Sequence, residues 1–228
     1  MTEALNPAGL YRLMTWLSPG YPVGAFSYSH GLEYAVEQGT VSDAASLEAW
    51  LGDLLRFGSG RSDAILFCHA YEASARRTAL AEVAALAVAY SASAERHLES
   101  TAQGRAFAEA TRDAWPCDAL KRLEDCWAGS LAYPVVVAVA AAGHGLDLSL
   151  SLQAYLHGFA ENLVSAGVRL IPLGQRAGQQ VLAALEAPVT EAAAAALETP
   201  LEDLGGAAIL ADLAAMKHET QYTRLFRS

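Results

Sequence analysis

Ser149-Leu150-Ser151-Leu152-Gln153-Ala154-Tyr155-Leu156-His157-Gly158-Phe159-Ala160-Glu161-Asn162-Leu163 places apolar side chains at Leu152, Tyr155, Leu156, Phe159, Ala160 and Leu163. Steps of three and four residues put all six on one side of an α-helix for more than three turns. The same spacing recurs in both directions. Leu10, Leu13, Met14 and Leu17 follow it, as do Leu47, Trp50, Leu51, Leu54 and Leu55, with Ser42 and Asp43 offering N-cap oxygens and Gly58 an end. Asp63 is expected to cap a helix carrying Ile65, Cys68 and His69, and residues 79–90 and 93–111 are alanine-rich further helices. Val135-Val136-Val137 is the one plausible strand, but Pro134 at a first helical position and the alanines that follow favour helix. Gly143 and Gly145 then break the chain. Pro172 and Gly174 interrupt the helix quoted first, and helix resumes through Val181, Leu182 and Leu185. Thr199-Pro200-Leu201-Glu202 joins a capping box to a proline at the first helical position, which predicts a helix from there to about His218. No repeat, linker or domain boundary appears. The expected fold is all-α: a single domain over 1–228, a bundle of roughly nine or ten helices with a flexible C-terminal tail at 217–228.

Composition narrows the function. Of 228 residues 53% are hydrophobic and only 18% charged, enough for a sizeable core. A net charge of -10 argues against nucleic acid, which needs clustered Lys and Arg. The start, Met1-Thr2-Glu3-Ala4, lacks the basic-then-apolar layout of a secretory signal. The longest apolar stretch, 133–142, is about half a bilayer crossing. Cys68, Cys117 and Cys126 are odd in number and sparse, which suits a reducing compartment. A soluble cytoplasmic protein without a membrane role is expected.

Three segments are not ordinary helix. In the first, 17–33, two prolines and two glycines make a turn-rich entry, after which Ser27, Ser29 and Glu33 open a helix. Serines beside His30 invite a nucleophile reading. Against it, they lie where N-caps are expected, no G-x-S-x-G elbow surrounds them, and His30 is expected to bond the loop. In the second, 161–180, the helix breaks at Pro172 and Gly174 with Arg169, Gln175 and Gln179 clustered around the break. Carbonyls ahead of Pro172 lose an amide partner. Either those amides satisfy the protein's own backbone or a bound group does. The third is the basic, aromatic tail, where Arg224 and Arg227 flank Leu225 and Phe226 with Tyr222 upstream. Charged forks beside large apolar side chains suit anchoring in a partner's groove, and the alternative is that Leu225 and Phe226 fold back onto the core. His218-Glu219 begins like the zinc motif H-E-x-x-H, but the second histidine is Tyr222, so no metal site and no cofactor are expected. No G-x-x-x-x-G-K-[ST] phosphate loop is present, and Cys68-His69 reads as core.

Together these segments resemble the UreF family of urease accessory proteins. Ser18-Pro19-Gly20-Tyr21-Pro22-Val23-Gly24-Ala25-Phe26-Ser27-Tyr28-Ser29-His30-Gly31-Leu32-Glu33 is similar to its S-P-x-x-P-V-G-x-[FY]-x-[YF]-S-x-G-L-E pattern. Arg169-Leu170-Ile171-Pro172-Leu173-Gly174-Gln175 with Gly178-Gln179 is similar to R-x-[IV]-P-L-G-Q-x-x-G-Q, and 218–228 to H-E-x-x-x-x-R-L-F-R-S. The resemblance implies an all-α homodimer without enzymatic chemistry of its own. It also implies an adaptor between the scaffold UreH (also UreD) and the GTPase UreG, in a complex that delivers nickel to apo-urease. The tail residues His218, Glu219, Tyr222, Arg224, Leu225, Phe226, Arg227 and Ser228 are then expected to bind a partner, ordering as they do so. Arg169, Pro172, Gly174, Gln175, Gln179, Ser27, Tyr28 and Glu33 are expected near the GTPase-facing surface or an interior route. Two other classes stay open. One is a regulator of GTP hydrolysis using Arg169 or Arg176, and the other an independent hydrolase using Ser27 or Ser29.

Overall fold

A computed structural model describes residues 7–228, so the acidic start at Met1-Thr2-Glu3-Ala4 lies outside the described residues. Among them the regular structure is helical, without strands. Helix α1 (Pro7–Trp16) leads through a 3-10 turn (Ala25–Ser27) to α2 (Leu32–Glu37), α3 (Ala44–Phe57) and α4 (Ser59–Ala73). Then follow α5 (Arg77–Ala89), α6 (Ala94–Ala114), α7 (Asp118–Cys126) and α8 (Tyr133–Gly143). Helices α9 (Leu148–Leu170), α10 (Gln175–Ala184), α11 (Glu186–Glu198) and α12 (Ile209–His218) complete the chain. Periodicity undercounts them because some boundaries are one residue wide, such as Gly58 between α3 and α4 and Leu185 between α10 and α11.

Helix α8 is the centre. Val135 through Ala141 have no exposed surface, and α4, α5, α6, α7 and α9 pack around them. A helix buried on all sides reads apolar on all sides, which is why the valine triplet had a strand-like look. Helix α6 can lie directly against the residue leading into α8 only through Gly104, where a Cβ would fall 1.9 Å from the Leu131 carbonyl oxygen. The cap of α3 forms as expected, Asp43 and Ser46 making a reciprocal capping box.

Three local expectations change. On α1 only Leu13 of the expected stripe is fully buried, while Leu10 and Met14 face outward. The orientation is set by Trp16, completely buried edge-on against Phe107 (5.9 Å) and Trp115 (6.2 Å). Asp63 does not cap α4, which begins at Ser59; it lies one turn inside and accepts a hydrogen bond from the Tyr155 hydroxyl (2.9 Å). The capping box at Thr199 does not start a long helix. The Thr199 hydroxyl donates back to Ala195 O (2.7 Å) to close α11, and only a 3-10 turn (Leu201–Asp203) follows. The amides of Ala207 and Ala208 both donate to Phe57 O (2.7 and 3.2 Å), and Arg61 takes the carbonyls of Asp203 and Gly205. Tertiary partners thus satisfy backbone groups that a helix would have paired internally.

Candidate functional site

The three unusual segments meet at one place. Glu33 lies in the first turn of α2, whose N-cap is Gly31 in the left-handed region (φ 75°). A Cβ on Gly31 would fall 2.5 Å from the backbone nitrogen of Ala215, so α12 packs onto the bare glycine backbone. That contact sets the last turn of α12 beside Glu33. His218 is completely buried, with Nε2 3.1 Å from Glu33 Oε2 and Nδ1 2.6 Å from Glu95 Oε2. The chain then turns back across α2. Leu225 N–H donates to Glu33 Oε1 (2.6 Å) and Phe226 N–H to Glu33 Oε2 (2.9 Å), so consecutive amides clasp one carboxylate. Arg227 N–H donates to Ser27 O (2.8 Å), and the Ser29 N–H (2.8 Å) and hydroxyl (2.5 Å) donate to Ser228 O. The Ser228 hydroxyl ends on Glu99 Oε2 (2.8 Å).

The tail is non-helical, as its lack of periodicity predicts, and it is packed. Phe226 is 4% exposed and Ser228 1%, whereas Leu225 is 65% exposed and Tyr222 stands wholly in solvent. The fold-back alternative therefore holds for one side chain only: Phe226 returns to the core and Leu225 does not. The physical reason is the need of buried carboxylates for donors, which the tail backbone meets. Arg224 donates to Glu95 (2.7 Å), and Glu219 accepts from Ala94 N–H (2.8 Å) at the start of α6, where a carboxylate favours the helix dipole.

From the broken helix Arg169 donates to Phe26 O (2.8 Å) and to Ser165 O (3.2 Å), and its guanidinium lies 4.4 Å from the centre of the Phe226 ring. It serves the tail and the N-terminal loop, which leaves Arg176, exposed on α10, as the arginine of that segment open to another molecule. Gln175 and Gln179 line the mouth of a cavity of about 380 Å³, with Phe26 and Arg169. Pro172 and Gly174 are exposed at the break, Gly174 serving as the N-cap of α10. Tyr28 is buried, its carbonyl near Asn162 Nδ2 (3.4 Å); burial raises its phenol pKa, against the pull of Arg227.

The floor of the cavity is a charged cluster in which Arg96, Glu99 and Gln103, unremarkable in the sequence, join His30 and Asp63. Arg96 donates to Glu99 Oε2 (2.5 Å), Gln103 to Glu99 Oε1 (3.0 Å), and His30 Nε2 lies 2.7 Å from Glu99 Oε1 and 2.7 Å from Arg96 Nη1. Burial works to raise the Glu99 pKa, but Arg96, His30 and the Ser228 hydroxyl together hold it at about 2. Burial pushes Asp63 up to about 6, opposed by Arg96 and Tyr155. His30 is pushed below its ordinary value by burial and by Arg96, Glu99 opposing. A signal did exist: Glu99, Gln103, Phe107 and Thr111 share one buried face of α6, so a carboxylate and an amide stand in phase with core positions. His30 does not bond its own loop, and the Ser29 hydroxyl is spent on Ser228, so no serine there has an imidazole base bonded to it. Among the described residues no group of three metal-ligating side chains is assembled, and no helix is long and apolar enough to cross a membrane.

Comparison with known proteins bears on this geometry. A sequence model of the UreF family matches residues 41–186. A urease accessory protein UreF of Rhodopseudomonas palustris (strain BisB5) is 57% identical over 99% of this chain and 94% of its own length. The proteins of that name from Bradyrhizobium sp. (strain BTAi1 / ATCC BAA-1182) and Xanthobacter autotrophicus (strain ATCC BAA-1158 / Py2) are 54% and 53% identical, over 100% of this chain and 95% and 94% of theirs.

Proposed function

We propose a function from one premise: this chain belongs to the UreF family of urease accessory proteins, and its work is in urease maturation. We infer that it does this work as a cytoplasmic, homodimeric, non-enzymatic adaptor, bridging the UreH (UreD) scaffold and the UreG GTPase so that nickel reaches apo-urease. The single observation that carries the reading is the division of the tail into a buried and an exposed half. Glu33 and Ser29 hold the backbone at Leu225, Phe226 and Ser228, and Glu99 accepts from the Ser228 hydroxyl. Tyr222 and Leu225 are exposed, as are Ile209, Leu210, Leu213 and Met216 of the preceding α12. A protein with a net charge of -10 that keeps this much large apolar surface within its last twenty residues is built to be covered there. The scaffold subunit is the occupant that the family role supplies. Arg169, Gln175, Gln179 and the cavity behind them are the proposed interior route, with Pro172 and Gly174 at its GTPase-facing end.

Deleting 222–228 tests the adaptor role. The truncated protein should keep its helicity and its dimer mass in light scattering, yet fail to co-purify with UreH. Retained co-purification overturns the assignment of the tail. The exposure of Arg176 favours a second role, modulation of GTP hydrolysis by UreG. Unchanged turnover with Arg176→Ala in the saturated complex rejects it.

A further inference from the structure

His30 is the one non-glycine among the described residues with positive φ (56°). Histidine enters the left-handed region more readily than most residues, but such a conformation is kept only where the surroundings enforce it. Here it turns the ring inward from the loop that receives Ser228, between Ser29 and Gly31. Phe159 packs edge-on against the ring (5.0 Å) and fixes its plane. Its nitrogens then face three groups. Nδ1 is 3.4 Å from Ser59 Oγ, while Nε2 is 2.7 Å from both Glu99 Oε1 and Arg96 Nη1.

A neutral imidazole cannot satisfy both neighbours of Nε2 at once. Glu99 needs Nε2 to donate, and Arg96 needs it to accept. Two tautomers answer these demands. With the proton on Nε2 the ring donates to Glu99 and Nδ1 accepts from Ser59. With the proton on Nδ1 the ring donates to Ser59 and Nε2 accepts from Arg96. The change leaves the total proton count unaltered.

Either side of this choice leads somewhere different. Glu99 is the carboxylate that receives the Ser228 hydroxyl. Arg96, with His30, Asp63 and Ser100, lines both the 380 Å³ cavity and a second cavity of about 330 Å³ bordered by Asp212, Ala215 and Met216 of α12. We infer that His30 is a two-state relay between the docked tail and the wall that separates the two cavities, its Nε2 donating to Glu99 in one state and accepting from Arg96 in the other. When Ser228 is docked, Glu99 already receives Ser228, Arg96 and Gln103, which leaves Nε2 free to accept from Arg96. Removing the hydroxyl leaves more charge on Glu99, strengthens its claim on Nε2–H, and draws Arg96 onto the vacated lone pair. The guanidinium is thereby withdrawn from His30 and from the cavity wall. The inference deepens the proposed partner role of the tail by giving it an inward consequence. It is tested on the isolated chain, so a tail variant that still binds the scaffold would sink that role and leave this relay standing.

The experiment is ring 15N NMR on histidine-labelled full-length protein, with Ser228→Ala and His30→Asn as variants. Asparagine tolerates the positive φ but is too short to span Glu99 and Arg96. Ser228→Ala should move the His30 ring shifts toward the Nε2–H tautomer. Reciprocally, His30→Asn should speed hydrogen exchange at the Leu225, Phe226 and Arg227 amides by about tenfold. Ring shifts identical in wild type and Ser228→Ala overturn the relay. So does a change in only one of the two measurements, because linkage works in both directions. Should His30→Asn fail to fold, the Ser228→Ala spectrum decides alone.

Discussion

Glu33 holds the tail with an economy that makes its substitution informative. Its two oxygens accept from the Leu225 and Phe226 amides, with His218 Nε2 3.1 Å away, and bonds to an ionised acceptor contribute about 1.5–3 kcal/mol each. Glu33→Gln keeps the size but offers one accepting oxygen and no charge. Amide exchange across 224–228 should quicken by roughly ten- to a hundredfold with far-UV circular dichroism unchanged; unaltered exchange would show that the tail is held elsewhere. Asp63 gives a pH signature. Its folded pKa of about 6 lies above the ordinary carboxyl value of about 3.9, so the native state binds more protons between these limits. Its contribution is therefore fully favourable below about pH 4 and is lost as pH rises through 6. Two units correspond to about 3 kcal/mol, an upper bound because the side chain opens onto both cavities. Asp63→Asn should be more stable than wild type in urea at pH 7.5, the gap closing toward pH 4; a gap independent of pH rejects this account.

Among the elements, legibility followed burial. Helix α9 was readable from its single stripe, and α3 from Asp43 and Gly58, because one apolar face and local caps decide them. Helix α12 begins nine residues later than Pro200, since Thr199-Pro200 carries a start signal that the bonds to Phe57 O and from Arg61 override at long range. The meeting of Glu33 with His218 and of Ser29 with Ser228 could not be read from spacing, with nearly two hundred residues between the partners. The family patterns marked those segments as unusual without saying that they touch. Arg96 and Glu99 went unread because an alanine-rich helix makes polar residues look solvated. The contact that builds the site is Gly31 against α12. Gly31→Ala combines positive φ with a clash at the Ala215 backbone, so it should destabilise the protein by more than about 1 kcal/mol and release the tail. Chemical denaturation with exchange at 218–228 checks both, and a variant of wild-type stability with a protected tail refutes the placement.

Taken whole, the molecule is a helical body around α8 that spends its buried carboxylates on organising its own C-terminal segment. The segment is not a loose hook; it is held from beneath and presents Tyr222 and Leu225 from above. A partner that binds it meets a surface already shaped and avoids much of the ordering cost of a disordered tail. The same arrangement places the end of the chain over a charged floor shared by two cavities, so coverage of the outer surface and the state of the interior are physically adjacent. The claim on which the rest depends is that the exposed half of the docked tail is the scaffold-binding surface. It is tested most directly by size-exclusion light scattering of Tyr222→Ala/Leu225→Asp with UreH, since neither side chain supports the fold. The account predicts a variant with the wild-type melting temperature that elutes apart from UreH; co-elution at the mass of the wild-type complex would contradict it.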